Sequence, residues 1–297
     1  MSIRTSDLSL KQRLQKNLGD VFMRSSISHA QDLINQKRED RYAELGHFEE
    51  WRDIAADIRN HVLEHLDFYL NQFTENAEKS GAVVHFAKDA AEANKIALEI
   101  FQQKHATSAV KSKSMVTEEI GLNEVLEAAG VNIVETDLGE YLLQVDDKDK
   151  PSHIVVPALH KSRQRIREVL AKHDGYEGDD IPENMTRFVR GVLRKAFMNA
   201  DIGITGCNFG VAESGTVALM TNEGNGRFVT TLPKTQIVFM GMERLVPSFR
   251  DLDIMFSLLA RSAVGARATV YMSLLTGPRK TTDVDGPEEM HIIIVDN

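Results

Sequence analysis

A glycine-rich segment from Gly206 to Arg227 is the part of this sequence best suited to hold a ligand. It contains five glycines. Because glycine adopts positive φ angles without strain and lets the backbone approach a ligand closely, this composition predicts a tight polar cradle. The residues expected to bind a substrate through polar groups or close backbone approach are Asn208, Ser214, Gly215, Thr216, Asn225 and Gly226.

Two charged side chains in the segment could do chemistry. Glu213 is a carboxylate within the turn and could act as a nucleophile or a base. Arg227 carries a planar guanidinium, which can bind a carboxylate through two parallel hydrogen bonds. The alternative is that the glycines only form turns, and the polar residues would then have structural roles.

Two further segments are predicted to follow strand ends. Lys111-Ser-Lys-Ser-Met115 offers the ammonium groups of Lys111 and Lys113 and could bind an anion, or it could be a solvated connector with Ser114 as a helix cap. His160 could shuttle protons or orient a carboxylate, or equally cap a helix or face water. Ligands of open parallel sheets bind at the carboxyl ends of strands, so Lys111, His160 and the glycine segment are expected to line one pocket containing Glu213.

Short apolar runs alternate with amphipathic helices from residue 81 onward, which predicts an α/β fold with a mainly parallel sheet covered by helices on both faces. The predicted strands are 82–86, 107–110, 131–135, 153–156, 202–205, 216–221, 236–240, 269–274 and 291–297. The predicted helices are 89–104, 117–129, 161–172, 182–200 and 248–262.

The N-terminal part has a different character. Residues 1–47 are polar with helical tendency and are interpreted as a helical arm, with residues 48–297 as the α/β domain. The arm could embrace a neighbouring subunit, which would make the protein a homo-oligomer, or pack on its own body. Apolar residues at helical spacing from Trp51 to Phe73 predict one long helix. His61 and His65, one turn apart on it, are interpreted as solvated residues and not as metal ligands.

Composition excludes several classes of function. The net charge of −9, without a block of lysines or arginines, argues against a protein that coats nucleic acid. A single cysteine, Cys207, excludes an internal disulfide and a site with four thiolates, so no metal and no cofactor are expected in this chain. Neither a signal peptide nor a membrane span is recognisable, which indicates a cytoplasmic location.

Three stretches give the sequence a family resemblance. Lys111-Ser-Lys-Ser-Met115, the run from Ile204 to Val217 and Asn222-Glu-Gly-Asn-Gly-Arg227 resemble the LUD (lactate utilization) domain family, and Gly241-Met-Glu-Arg-Leu-Val-Pro247 extends the match. The resemblance covers residues 48–297. It implies a fold like that of the CoA-transferases and sugar-phosphate isomerases, and a role in oxidising L-lactate to pyruvate with two other lactate-utilization proteins.

In the iron–sulfur members of that family, a ferredoxin-like part with two [4Fe–4S] clusters follows the point where this sequence stops. The final predicted strand ends abruptly, so we expect the natural protein to continue past Asn297. The leading hypothesis is therefore a domain that binds a small carboxylate substrate, or a scaffold domain, of an electron-transfer protein that does not oxidise lactate alone. The alternatives are a self-sufficient acyl-transfer or isomerase enzyme that uses Glu213, and a purely structural interaction module.

Overall fold

The computed structural model describes residues 9–153 and 155–296. The helices are α1 Leu10–Gly19, α2 Val21–Leu45, α3 Phe48–Glu64, α4 Leu66–Lys79, α5 Ala90–Gln103, α6 Met115–Glu119, α7 Leu122–Ala128, α8 Leu138–Val145, α9 Arg163–Asp174, α10 Pro182–Asn199, α11 Asn225–Thr231 and α12 Phe249–Val264. The strands are β1 Val83–Ala87, β2 Ser108–Lys111, β3 Asn132–Glu135, β4 Ile202–Thr205, β5 Phe209–Val211, β6 Thr216–Thr221, β7 Thr235–Gly241, β8 Leu245–Val246, β9 Tyr271–Leu275 and β10 Glu289–Val295.

The chain divides into two compact units. The first comprises the residues up to Gln36 together with Glu135–Lys195, and the second comprises Lys37–Val134 together with the residues from Ala196 onward. No helix among the described residues is both long and apolar enough to cross a membrane.

The second unit contains a six-stranded sheet in the order β1-β10-β7-β4-β2-β3. The pairings of β1 with β10, β10 with β7, β7 with β4 and β4 with β2 are all parallel. Alternate residues of these strands face α5, α6 and α7 and form an apolar cluster with them, for example Ile204, Phe239 and Ile293. The predicted α/β class, with a mainly parallel sheet under helices, is confirmed.

The opposite face of this sheet packs against α3, α4 and a second sheet. That sheet has four strands in the order β8-β5-β6-β9, with both antiparallel and parallel pairings. Its inner residues, such as Val217 and Ala212, meet Val238 and Ile292 of the main sheet. Its outer face is covered by α3 and α12. The second sheet therefore lies between the main sheet and these helices.

The first unit contains α8, α9 and most of α10. Tyr141 of α8 donates a hydrogen bond to the carboxylate of Asp174 at the end of α9, and their oxygens lie 2.9 Å apart. Burial raises the pKa of Tyr141, and the hydrogen bond to Asp174 raises it further. The predicted N-terminal arm is helical in the structure as α1 and α2, and neither helix has a buried residue.

Three predicted elements differ from the structure. The long helix from Trp51 to Phe73 is two helices, because the backbone leaves helical geometry at His65 (φ −126°, ψ 36°). The helix 117–129 is likewise divided at Gly121, whose φ of +66° is left-handed. The strand predicted at 153–156 is wrong: the described residues there form bends, and Ile154 lies outside the described residues.

Candidate functional site

The strand order places a topological switch point between β2 and β4. From β2 the chain moves outward to β3, whereas from β4 it continues, after the second sheet, to β7 on the other side. Loops that diverge in this way leave a crevice at the carboxyl ends of the two strands, where open α/β sheets bind ligands. The two loops involved are the lysine–serine loop after β2 and the start of the glycine-rich segment after β4.

The loop after β2 is mostly enclosed. Lys111 is 0% exposed and Ser112 is buried, whereas Lys113 is half-buried. Ser114 caps α6, since its hydroxyl accepts a hydrogen bond from the backbone N–H of Thr117. Of the two predicted anion-binding lysines, only Lys113 therefore reaches the surface, and the capping role considered for Ser114 is confirmed.

The glycine segment contacts this loop at its first residue. A Cβ atom added to Gly206 would lie 2.6 Å from the Oγ atom of Ser114, which is closer than real Cβ contacts. The backbone N–H of Ser112 also donates to the carbonyl of Ile204, 3.0 Å away. The lysine–serine loop and the first residue of the glycine segment are therefore in close contact, and a side chain at position 206 would displace the side chain of Ser114.

The rest of the glycine segment leaves the switch point as a hairpin, β5 and β6. Asn208 stabilises its base, because its Oδ1 atom accepts a hydrogen bond from Met220 N at 2.8 Å. Gly210 allows Met240 to pack, since an added Cβ would lie 2.7 Å from its sulfur atom. These two residues serve the fold of the hairpin.

The turn at the far end of the hairpin contacts α4 and α12. Glu213 is exposed, and its Oε1 atom accepts a hydrogen bond from the backbone N–H of Phe249, the first residue of α12, at 2.7 Å. Gly215 has a φ of +66°, and an added Cβ would lie 2.1 Å from the backbone N of Ala77. The hydroxyl groups of Ser214, Thr216 and Thr276 form a chain with spacings of 2.7 and 2.8 Å.

Glu213 therefore accepts a hydrogen bond at the N-terminus of α12, whose N-cap residue is Ser248, and its sharing of a pocket with Lys111 stays a prediction. The prediction of one cradle for the whole segment is corrected here. Gly206, Gly210 and Gly215 pack closely against Ser114, Met240 and Ala77, respectively, whereas a Cβ added to Gly224 would meet nothing within 4 Å.

The last predicted residues of the segment form α11. Asn225 begins this helix and is half-buried, and an added Cβ at Gly226 would lie 2.7 Å from Cγ2 of Thr221. Arg227 is exposed, and its carbonyl accepts hydrogen bonds from the hydroxyls of the next turn. Arg227 thus lies at the surface and not in a desolvated clamp.

His160 belongs to the first unit, in a polar network of its own. Its ring nitrogens lie 2.9 Å from Oγ of Ser152 and 2.8 Å from a carboxylate oxygen of Asp149. The ammonium of Lys161 lies 2.6 Å from Asp146 and 2.6 Å from Asp149. Burial alone would raise the pKa of Asp149, but hydrogen bonds from Lys161 and His160 outweigh it and hold that pKa at about 2. The sharing of a pocket by His160 and Lys111 stays a prediction.

Glu243 and Arg244, which follow β7, were not predicted as site residues from the sequence. The loop Gly241–Arg244 follows the strand next to β4, so it flanks Gly206 and Cys207 on the side opposite Lys113. Nε of Arg244 lies 2.8 Å from the carboxylate of Glu243. The position of Arg244 after a parallel strand is the sequence feature that could have identified it as a site residue.

Cys207 lies among apolar neighbours of the main core. Burial raises the pKa of its thiol to about 12, although hydrogen bonding from the backbone of Ala218 and the nearby charge of Arg244 oppose this. The thiol therefore stays protonated near neutral pH, which suits a small packing residue.

Lys113, Ser114, Gly206, Cys207 and Arg244 together are called the switch-point site below. Lys113 follows β2 and Arg244 follows β7, so the strand order places one cationic residue on each side of the loop that follows β4. Lys113 is half-buried and Arg244 is exposed. Such an arrangement suits a small anion. In the part of the chain that the structure describes, no three His, Cys, Asp or Glu side chains are grouped so that they could hold a metal ion.

A separate polar cluster lies on β1 and β10, away from the switch point. Ring nitrogens of His85 and His291 lie 3.0 Å apart, and the other nitrogen of His291 lies 3.1 Å from Glu289, which pairs with Lys104. Burial lowers the pKa of both histidines, while the carboxylates of Glu99 near His85 and Glu289 near His291 oppose the shift.

Comparison with known proteins gives consistent matches. A model described as the LUD domain matches residues 70–295. The chain is 54% identical to lactate utilization protein B of Shouchella clausii and 53% identical to that of Bacillus subtilis. It is also 54% identical to an "uncharacterized electron transport protein YkgF" of Escherichia coli. Each alignment covers 100% of this chain and 62% of the relative, so the chain spans less than two thirds of their length. A crystal structure of a DUF162 family protein from Deinococcus radiodurans aligns with 77% of this chain and 98% of its own, at 15% identity and a TM-score of 0.43.

Proposed function

The chain belongs to the LUD domain family, and on that premise we propose that it takes part in lactate utilization by binding a small carboxylate at the switch-point site. The names of relatives that are 53–54% identical support the role. In this proposal the chain is the substrate-binding or scaffold domain of a longer electron-transfer protein, which oxidises L-lactate to pyruvate with two partner proteins.

The contact of Gly206 with Ser114 carries the proposal. It joins the loops that diverge from β2 and β4, so the crevice expected at a switch point has a floor of backbone and small side chains. Lys113 and Arg244 flank this floor from β2 and β7. Lactate and pyruvate each carry one carboxylate, which a guanidinium can bind through two hydrogen bonds while an ammonium adds a second charge.

The electrons of lactate need an acceptor outside this chain. The two [4Fe–4S] clusters implied by the family do not fit the residues present, because such a cluster takes about four thiolates and this sequence has one cysteine. We therefore place the clusters in another part of the complete protein, and we expect this chain alone not to turn over lactate.

Binding and turnover test the proposal separately. Calorimetry should show L-lactate or pyruvate binding to the chain, and Arg244→Gln should weaken binding about tenfold, or about 1.4 kcal/mol. Arg250→Gln is the matched control, because Arg250 is an exposed arginine outside the site. Equal affinities for both variants would reject the site.

Turnover is measured as pyruvate formed with an artificial electron acceptor. The isolated chain should form none, and the complete protein with both partners should form it at a steady rate. Steady pyruvate formation by the isolated chain would refute the proposed division of labour.

The alternative enzyme, an acyl-transferase or isomerase with Glu213 as nucleophile, gains no support from the geometry. The side chain of Glu213 is exposed, and its carboxylate accepts a hydrogen bond from the first residue of α12.

A further inference from the structure

A second candidate site lies in the first unit, where the loop after α9 meets the start of α10. A cavity of about 370 Å³ is lined there by Tyr176, Gly178, Asp179, Asn184, Arg187 and Phe188. A second cavity of about 410 Å³ is lined by Pro182, Glu183, Thr186, Arg187 and Arg190. Arg187 lines both, so the two cavities adjoin at its side chain. Both cavities are wide open to solvent, so their volumes describe surface depressions and not enclosed pockets.

The first cavity has an aromatic wall. The rings of Tyr176 and Phe188 lie 4.9 Å apart at an angle of 51°. Tyr176 is 7% exposed, and its buried hydroxyl has no hydrogen-bond partner among the described residues. A Cβ added to Gly178 would lie 2.3 Å from that hydroxyl, so glycine makes room for the ring.

The loop that carries the wall is held in place. The guanidinium of Arg167 donates to the carbonyl of Gly178 at 2.7 Å. Asp179 accepts hydrogen bonds from Ile181 N at 3.2 Å and from the amide of Asn184 at 3.0 Å. The backbone around the cavity is therefore fixed by hydrogen bonds before any ligand arrives, which limits the ordering that binding requires.

Two arginine side chains line the second cavity. Arg187 and Arg190 are one helical turn apart, so their side chains share a face of α10. Both are exposed. Two adjacent guanidiniums suit the several oxygens of a phosphate or diphosphate. Asp179 and Glu183 line the remaining walls and can only accept hydrogen bonds when ionised.

We propose that these adjoining cavities form a binding site for a nucleotide, with its planar base against Phe188 and Tyr176 and its phosphates at Arg187 and Arg190. A nucleotide carries all the required groups: a flat ring, anionic phosphates, and hydroxyl or amino donors for Asp179 and Glu183. A small carboxylate would use only the guanidiniums. This site is separate from the switch-point site and does not depend on the function proposed for it.

Calorimetry with ADP, FMN, adenosine and inorganic phosphate tests the proposal on the intact chain. ADP or FMN should bind at least tenfold more tightly than adenosine and than phosphate, because only the nucleotides use both halves of the site. The double variant Arg187→Gln, Arg190→Gln should reduce nucleotide affinity to that of adenosine and leave adenosine unchanged. Phe188→Leu should weaken the binding of adenosine as well as that of the nucleotides.

Arg194→Gln is the matched control, since Arg194 is an exposed arginine of the same helix that lines neither cavity. It should bind nucleotide as the native chain does. The proposal is overturned if neither nucleotide binds at millimolar concentration, if adenosine binds as tightly as ADP, or if the control loses as much affinity as the double variant.

Discussion

The role of Glu213 can be decided by removing its carboxylate in two steps. The side chain accepts a hydrogen bond from Phe249 N, and it places a negative charge at the N-terminus of α12. Glu213→Gln keeps an acceptor but removes the charge, whereas Glu213→Ala removes both. A capping role and a catalytic role predict different results for this pair of variants.

The size of the effect follows from the two contributions. A hydrogen bond of this kind contributes about 0.5–1.5 kcal/mol to the free energy of unfolding. A negative charge in the first turn of a helix adds about 0.3–1 kcal/mol at low ionic strength. We therefore expect Glu213→Ala to lower the free energy of unfolding by about 1–2 kcal/mol and Glu213→Gln by about 0.3–1 kcal/mol.

Urea unfolding followed by circular dichroism measures both values. The loss caused by glutamine should shrink at high salt, because salt screens the helix dipole. Glu223→Ala is the control, since Glu223 is an exposed glutamate of the same segment. The capping interpretation fails if Glu213→Ala matches the native stability, and catalysis by Glu213 is supported if the same variant loses activity in the complete protein.

Three other predictions concern acid, histidine and glycine. The pKa of Asp149 in the folded chain is about 2, which is below its ordinary value. Its ionised carboxylate therefore stabilises the fold above about pH 4, and this stabilisation is lost as the pH falls towards 2. The stability of Asp149→Asn should lack this loss between pH 4 and pH 2 when it is measured by acid unfolding. His85 and His291 have lowered pKa values, so the unfolded state binds more protons and stability should fall as pH drops below about 6.5. Replacing both with glutamine should flatten that fall in urea titrations at pH 7 and pH 5. Gly215→Ala should destabilise the chain by about 3 kcal/mol or more, because a Cβ there meets backbone at positive φ. Gly224→Ala, with φ −74° and nothing within 4 Å, should be nearly neutral by the same measurement.

Elements bounded by clear local signals were predictable from the sequence. The strands Ile202–Thr205 and Thr216–Thr221 have the predicted bounds, because each is an apolar or β-branched run between turn residues. Helix α5 is correct to within one residue at each end, with Asp89 as its cap. The bounds of these elements are determined by residues that are close in the sequence.

Features that depend on distant partners were not predictable. Nothing local distinguishes β4, in the main sheet, from β6, in the second sheet, since only their pairing differs. Helix α11 was missed because Gly224 and Gly226 suggest a loop, whereas its packing on Gly203 of β4 holds the helix in place. Tertiary contacts outweigh helix propensity there.

The candidate site was likewise only partly predictable from the sequence. The meeting of the lysine–serine loop with Gly206 followed from the rule that parallel strands share a carboxyl edge. The same rule was applied to Glu213, but it did not foresee that this residue lies at the turn of the hairpin β5–β6 and contacts the first residue of α12. Glycine spacing alone does not distinguish close packing from ligand binding, since both exclude a Cβ.

The place of β10 in the main sheet has a consequence for synthesis of the protein. Strand β1 pairs with β10, and the contact between His85 and His291 joins residues 206 positions apart. During translation β1 therefore has no strand to pair with until β10, near the end of the described chain, has been synthesised. Contacts of such long sequence separation slow folding and leave apolar strands open to aggregation meanwhile. The nascent chain should accordingly need a chaperone longest for the region around β1, where Val83 and Phe86 are exposed even in the folded sheet.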